Sequence, residues 1–100
     1  MKDILKDKVA VITGGTRGFG LSIAQAFVQN GASVVVASRS QQSVNEAIQW
    51  IQAEGGQGSG IAVDVSNLEQ VQALADHAIS RFGRLDIWVN NAGITGPYGP

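Results

Sequence analysis

The sequence predicts an α/β fold: a doubly wound parallel sheet with helices on both faces. Three observations carry this expectation. Short β-branched or apolar runs alternate with longer segments of helical spacing, in the order β-α-β-α-β-α-β. The runs are apolar without in–out alternation, as in strands covered on both faces. Glycines stand where one period gives way to the other.

The first strand is Val9 to Thr13 (VAVIT). A helix is predicted from Gly18 to Asn30, with Leu21, Ala24, Phe27 and Val28 three or four apart, and Gly31 at its C-terminal end. Ser33 to Ser38 (SVVVAS) is the second strand. The next helix carries Val44, Ala47, Ile48 and Ile51 on one stripe and ends at Gly55 and Gly56. Ser43 with Glu46 can form its capping box, and Ser40 is a rival N-cap. Glu54 to Gly60 (EGGQGSG) reads as a mobile loop before a third strand, Ile61 to Asp64. Ser66 and Glu69 form a capping box for the third helix, whose apolar face is Leu68, Val71, Leu74, Ala78, Ile79 and Phe82, closed by Gly83. Leu85 to Asn90 (LDIWVN) is the fourth strand. Doubly wound topology places these strands in the order 3-2-1-4, with ligands at their carboxyl ends.

Composition narrows the function classes. One hundred residues make one domain at most. Charged residues are 15%, low enough that much of the surface expects to be covered. Net charge is −1 with no basic stripe, so nucleic-acid binding has no electrostatic support. Absence of cysteine excludes disulfides, thiolate catalysis and cysteine metal sites, and a lone histidine, His77, excludes multi-histidine sites. His77 is expected at a surface or boundary position, and Trp50 and Trp88 in packing, Trp88 covered on both faces. Asp86 is expected to bond backbone or a nearby arginine such as Arg84. The N-terminal MKDILKDK lacks a signal-peptide core and no run reaches membrane-spanning length. A soluble cytoplasmic protein without membrane partners is expected.

Four glycines follow the first strand within seven positions, Gly14 to Gly20. Strand, glycine turn and helix is the arrangement that brings a phosphate to a helix N-terminus, where unpaired N–H groups and the dipole favour an anion. Gly14 allows the tight turn, Gly18 the approach of backbone to a pyrophosphate, and Gly20 close packing of helix on sheet. The spacing is T-G-x-x-x-G-x-G. It is neither G-x-G-x-x-G nor a P-loop, which needs Lys-Ser or Lys-Thr.

Thr13-Gly14-Gly15-Thr16-Arg17-Gly18-Phe19-Gly20 resembles the cofactor motif of classical short-chain dehydrogenases/reductases. Asn90-Asn91-Ala92-Gly93 resembles that family's N-N-A-G motif, and Asp64-Val65 after the third strand also matches. These motifs span nearly the whole chain. The resemblance implies a Rossmann-type sheet and a nicotinamide dinucleotide site formed by Gly14, Thr16, Arg17, Gly18, Phe19, Gly20, Ser38, Arg39, Asp64, Val65, Asn90, Ala92 and Gly93. Asp64 would cap the adenine amino group. Phe19 departs from the usual isoleucine or leucine, yet still offers its backbone N–H and an apolar wall.

The same resemblance frames cofactor choice. An NAD site carries an acid about 20 positions after the glycine turn. Here the second strand ends Ala37-Ser38-Arg39-Ser40, with no acid. A carboxylate would repel a 2′-phosphate. Arg39 would hold it through parallel charge-assisted bonds. Arg17 adjoins that pocket in the family, and Ser38 can donate a hydroxyl. NADP(H) is therefore expected over NAD(H).

The family's catalytic serine and Y-x-x-x-K have no counterpart here. Tyr98 is the only tyrosine, and the lysines are Lys2, Lys6 and Lys8. The resemblance therefore implies that the catalytic serine, tyrosine and lysine lie beyond Pro100, and no residue of this sequence is assigned a catalytic role. Residues 1–100 are expected to be the NADP-binding N-terminal part of a longer single-domain enzyme, inactive alone. The fourth strand would be an unpaired apolar edge. The full-length form is expected to interconvert an alcohol and a ketone or aldehyde, on a small-molecule substrate, as a tetramer or dimer. The alternatives are a non-catalytic dinucleotide-binding module and an inactive fragment.

Overall fold

Val9, Ala10, Val11 and Ile12 have nowhere to go but inside: none is more than 3% exposed. The structure is a computed structural model and describes residues 3–91. Its elements are β1 (Val9–Thr13), α1 (Gly18–Gln29), β2 (Ser33–Ser38), α2 (Gln41–Ala53), β3 (Gly58–Ala62), α3 (Leu68–Phe82) and β4 (Ile87–Asn90). The four strands form one parallel sheet in the order β3-β2-β1-β4, as the sequence predicts.

Alternate residues of the central strands face opposite layers. Ala10, Ile12, Val34 and Val36 pack under α1 and α2, against Ala24, Val44, Ala47 and Ile51. Val9, Val11, Val35 and Ala37 pack under α3, against Leu74 and Ala78. Each fully buried valine, leucine or isoleucine here contributes about 1.5–3 kcal/mol over its exposed state. Two-sided burial explains why β1 and β2 read as unbroken apolar runs.

The edges differ from the expectation. β3 begins at Gly58, not Ile61, so the last three residues of the predicted mobile loop, Gly58 to Gly60, are strand. The reason is proximity. A Cβ on Gly60 would overlap the Val36 carbonyl and stand 2.9 Å from Val44 Cγ1. One on Gly58 would stand 2.8 Å from Ile51 Cγ2. These glycines let α2 lie on the edge strand. β4 begins at Ile87, after Asp86 has anchored it. Asp86 Oδ2 accepts from the Val9 N–H at 2.8 Å, and its N–H donates to the Val9 carbonyl at 2.9 Å. Arg84 donates twice to the same carboxylate, each at 2.8 Å, as expected of that pair. Trp88 is half-buried, because β4 is the last strand of the sheet among the described residues and is paired on one side only, with β1.

Two caps are also decided. Ser40, not Ser43, caps α2, accepting from the Ser43 N–H at 3.1 Å. Asn67, not Ser66, caps α3, accepting from the Gln70 N–H at 3.1 Å. The Ser66 hydroxyl is taken by Asp64 Oδ1 at 2.7 Å. On α3, Leu74 and Ala78 face inward, whereas Leu68 and Ile79, at one margin of the predicted stripe, are exposed. His77 is half-buried, its Nε2 2.7 Å from Ser59 Oγ on β3, a boundary position as expected.

Candidate functional site

Because the strands run parallel, their carboxyl ends open on one edge of the sheet, where doubly wound folds bind ligands. Thr13, Ser38 and Asn90 close β1, β2 and β4 there, and Asp64 follows β3 by two residues. Ala92 and Gly93 lie outside the described residues, as do Tyr98 and Pro100. The expectation that the catalytic serine, tyrosine and lysine lie beyond Pro100 falls outside them too.

The turn from β1 to α1 is built on Gly14. Its φ of 67° and the 57° of Gly18 lie in the left-handed region, which costs a residue with a Cβ about 1–2 kcal/mol. The Gly14 N–H donates to the Ala37 carbonyl on β2 at 2.8 Å. The Gly14 carbonyl accepts from Asn91 Nδ2 beyond β4 at 3.2 Å. Thr13 Oγ1 accepts from the Asn91 N–H at 2.9 Å and donates to Asn90 Oδ1 at 3.3 Å. The ends of β1, β2 and β4 are thus tied together at Gly14 and its neighbour Thr13. A Cβ on Gly20 would overlap the Gly14 carbonyl and come within 2.6 Å of Asn91 Nδ2. Gly20 lets the first turn of α1 sit directly on this junction.

α1 starts bare. Arg17, its N-cap residue, has extended backbone and no capping hydrogen bond, and the first turn holds no acid. The first N–H groups therefore point outward without intrahelical partners, at the positive end of the dipole. Thr16 is half-buried in the turn, while Arg17, Gly18 and Phe19 are exposed on its lip. Nothing stands within 4 Å of a Cβ position on Gly18, so backbone is open to close approach there.

Two cations stand on this edge of the sheet, Arg17 in the turn itself and Arg39 after β2. Arg17 Nη2 donates to Ser43 Oγ in the first turn of α2 at 3.3 Å. Arg39 is 82% exposed and stands 3.9 Å from Asp64 Oδ1, a loose, solvent-screened pair. Ser38 Oγ donates to the Ser40 carbonyl at 3.1 Å and accepts from the Ser40 N–H at 3.2 Å, bracing the loop that carries Arg39. The Ser66 hydroxyl and N–H donate to Asp64 Oδ1 and hold its carboxyl below the usual range, with Arg39 adding to the effect. Val65 packs its side chain on the α3 layer.

Bare amides, glycines where a Cβ would intrude and two cations suit a phosphate-bearing dinucleotide. Arg17, Gly18 and Phe19 are the exposed part of this turn, with Gly14 and Thr16 half-buried beside them and Gly20 buried beneath. Arg17 bonds Ser43, whose N–H donates to Ser40 in the loop that also carries Ser38 and Arg39, and Arg39 pairs with Asp64. Sequence reasoning underrates Asn91, which ties down Gly14, and uses Ser43 only as a cap candidate. Asn91 leaves a signal as a short polar side chain at the end of a buried strand. Ser43 leaves none. A separate surface cleft lined by Asp3, Asn30 and Glu54 lies at the C-terminal ends of α1 and α2, away from these residues.

Known proteins share this architecture. The family model described as short chain dehydrogenase matches residues 8–99. An uncharacterized oxidoreductase of Mycobacterium tuberculosis is 47% identical over 93 residues, which are 93% of this chain and 35% of the relative. The structure of L-sorbose reductase from Gluconobacter frateurii, complexed with NADPH and L-sorbose, is 41% identical with a TM-score of 0.89. That match covers 97% of this chain and 37% of the reductase. A short chain dehydrogenase/reductase from Burkholderia phymatum in complex with NAD is 37% identical with a TM-score of 0.81, over 84% of this chain and 30% of that protein. The chain thus spans little more than a third of the length of such relatives. By its glycine turn, its strand order and the family match over residues 8–99, the chain belongs to the short-chain dehydrogenase family.

Proposed function

We infer that residues 1–100 are the NADP(H)-binding N-terminal part of a single-domain oxidoreductase that interconverts an alcohol and a ketone or aldehyde. The observation that carries this is the bare start of α1 on the Gly14 junction, with Arg17 at its lip and Arg39 at the end of β2 on the same edge of the sheet. In this reading the Gly18–Gly20 amides take the pyrophosphate. Asn90, with Ala92 and Gly93, lines the ribose side. Asp64 accepts from the adenine amino group, and Val65 borders the ring. Arg39, Arg17 and Ser38 take the 2′-phosphate, which a carboxylate at the end of β2 would repel. Bound there, the nicotinamide supplies or accepts the hydride. This chain's residues bind and orient the cofactor. Proton transfer to the substrate oxygen belongs to the family's serine, tyrosine and lysine, beyond Pro100 in the full-length protein. Family likeness also supports a homo-oligomer, tetramer or dimer, in the cytoplasm.

Arg39→Ala tests the cofactor choice. Losing one charge-assisted pair should raise the NADPH dissociation constant about tenfold or more while NADH binding changes little. Equal weakening of both nucleotides overturns the NADP(H) preference. Ketone-dependent NADPH consumption by the full-length protein tests the reaction.

A further inference from the structure

Ser43 has no part in the cofactor motifs, yet it sits at a junction. Its N–H donates to Ser40 Oγ at 3.1 Å, and its own hydroxyl accepts from Arg17 Nη2 at 3.3 Å. Ser40 is in turn bonded through both its N–H and its carbonyl to Ser38 Oγ. A continuous hydrogen-bonded seam therefore runs from the end of β2, through three serines, to an arginine on a different turn. Arg39 lies inside that seam, between Ser38 and Ser40.

The seam has a consequence for charge placement. A free arginine side chain on an exposed lip samples many rotamers, and ordering it on a ligand costs side-chain entropy. Ser43 removes part of that cost before any ligand arrives. It holds the Arg17 guanidinium at the first turn of α2, bonded through Ser43 to the loop that carries Arg39. It does so through a neutral acceptor, which leaves the guanidinium charge uncompensated. Arg39, by contrast, rests on a carboxylate, Asp64.

We propose that Ser43 is a positioning residue for the 2′-phosphate of NADP(H), holding Arg17 beside Arg39 so that the two cations share that phosphate. This rests on the cofactor reading above. The role belongs to the hydroxyl and acts only through Arg17.

The test is nucleotide binding by the full-length chain, with NADPH and NADH titrated separately. Ser43→Ala should weaken NADPH roughly threefold to tenfold, the range of one modest hydrogen bond, and leave NADH nearly unchanged. Ser43→Thr, which keeps the hydroxyl, should restore NADPH binding. In an Arg17→Ala background, Ser43→Ala should cause no further loss. NADPH-selective binding that Ser43→Ala leaves intact, or a Ser43→Ala loss that persists without Arg17, overturns the role of Ser43 alone. Failure of the unsubstituted chain to prefer NADPH overturns the cofactor reading and this inference with it.

Discussion

α1 begins at Arg17 with no side-chain cap, whereas α2 begins with Ser40 accepting from the Ser43 N–H and α3 with Asn67 accepting from the Gln70 N–H. All three turns do the same geometric work, bringing the chain from the carboxyl end of a strand into a helix. A side-chain cap is worth about 1 kcal/mol, so the turn into α1 forgoes stability that the other two keep. It also concentrates the left-handed glycines Gly14 and Gly18 and the close contact at Gly20. On the cofactor reading proposed above, the contrast marks where this fold reserves backbone donors for a ligand rather than for itself.

The largest effect is expected from Gly20→Ala, which attacks the uncapped turn at its foundation. The added Cβ meets the Gly14 carbonyl, which is held on Asn91 and cannot move without opening three strand ends. Overpacking of this kind should cost about 3 kcal/mol in urea unfolding, and nucleotide binding should fall with it. A cost near zero would mean that α1 does not rest on that junction.

A second pair of variants should shift stability in opposite directions. Asn67→Ala removes a cap and should destabilise by about 1 kcal/mol, with nucleotide affinity nearly unchanged. Arg17→Ser offers α1 the cap it lacks and should stabilise by up to about 1 kcal/mol while weakening NADPH. The same sign of stability change in both would erase the distinction between the turns.

The smallest effect is in acid. Ser66 holds the Asp64 carboxyl, and Arg84 with the Val9 N–H holds that of Asp86, below the ordinary value of 3.8. Folded values below unfolded ones mean that this stabilisation is complete above that value and is lost as pH falls through the lowered folded values. Urea unfolding across that range should show a shallower acid loss in Asp86→Asn than in the unsubstituted chain. An equal slope would remove the carboxylate from the account.

Legibility in the sequence follows a divide between centre and edge. β1 and β2 are read to the residue because burial on two faces leaves an unbroken apolar run. The strand order follows from alternation and the site from its glycines. β3 is obscured because Gly58 and Gly60 answer to the nearness of Ile51, Val44 and Val36, and no local pattern reports a distance to another element. Leu68 has the spacing of a core residue, but it opens α3 at the margin of the inward stripe and is 82% exposed. Asn67 displaces Ser66 as cap because Asp64 has already claimed the Ser66 hydroxyl. Ser43 is invisible as an Arg17 partner for the same reason as β3: the contact joins two turns far apart in sequence.

Backbone hydrogen exchange of the full-length chain, with and without NADPH, tests the central claim most directly. The first amides of α1 are unpaired, so they should exchange fast in the free protein and slow strongly when NADPH binds. The first turn of α3, capped by Asn67, should change far less. Protection confined to other segments, with the Gly18–Gly20 amides unaffected, would contradict the assignment of the bare helix start to the cofactor.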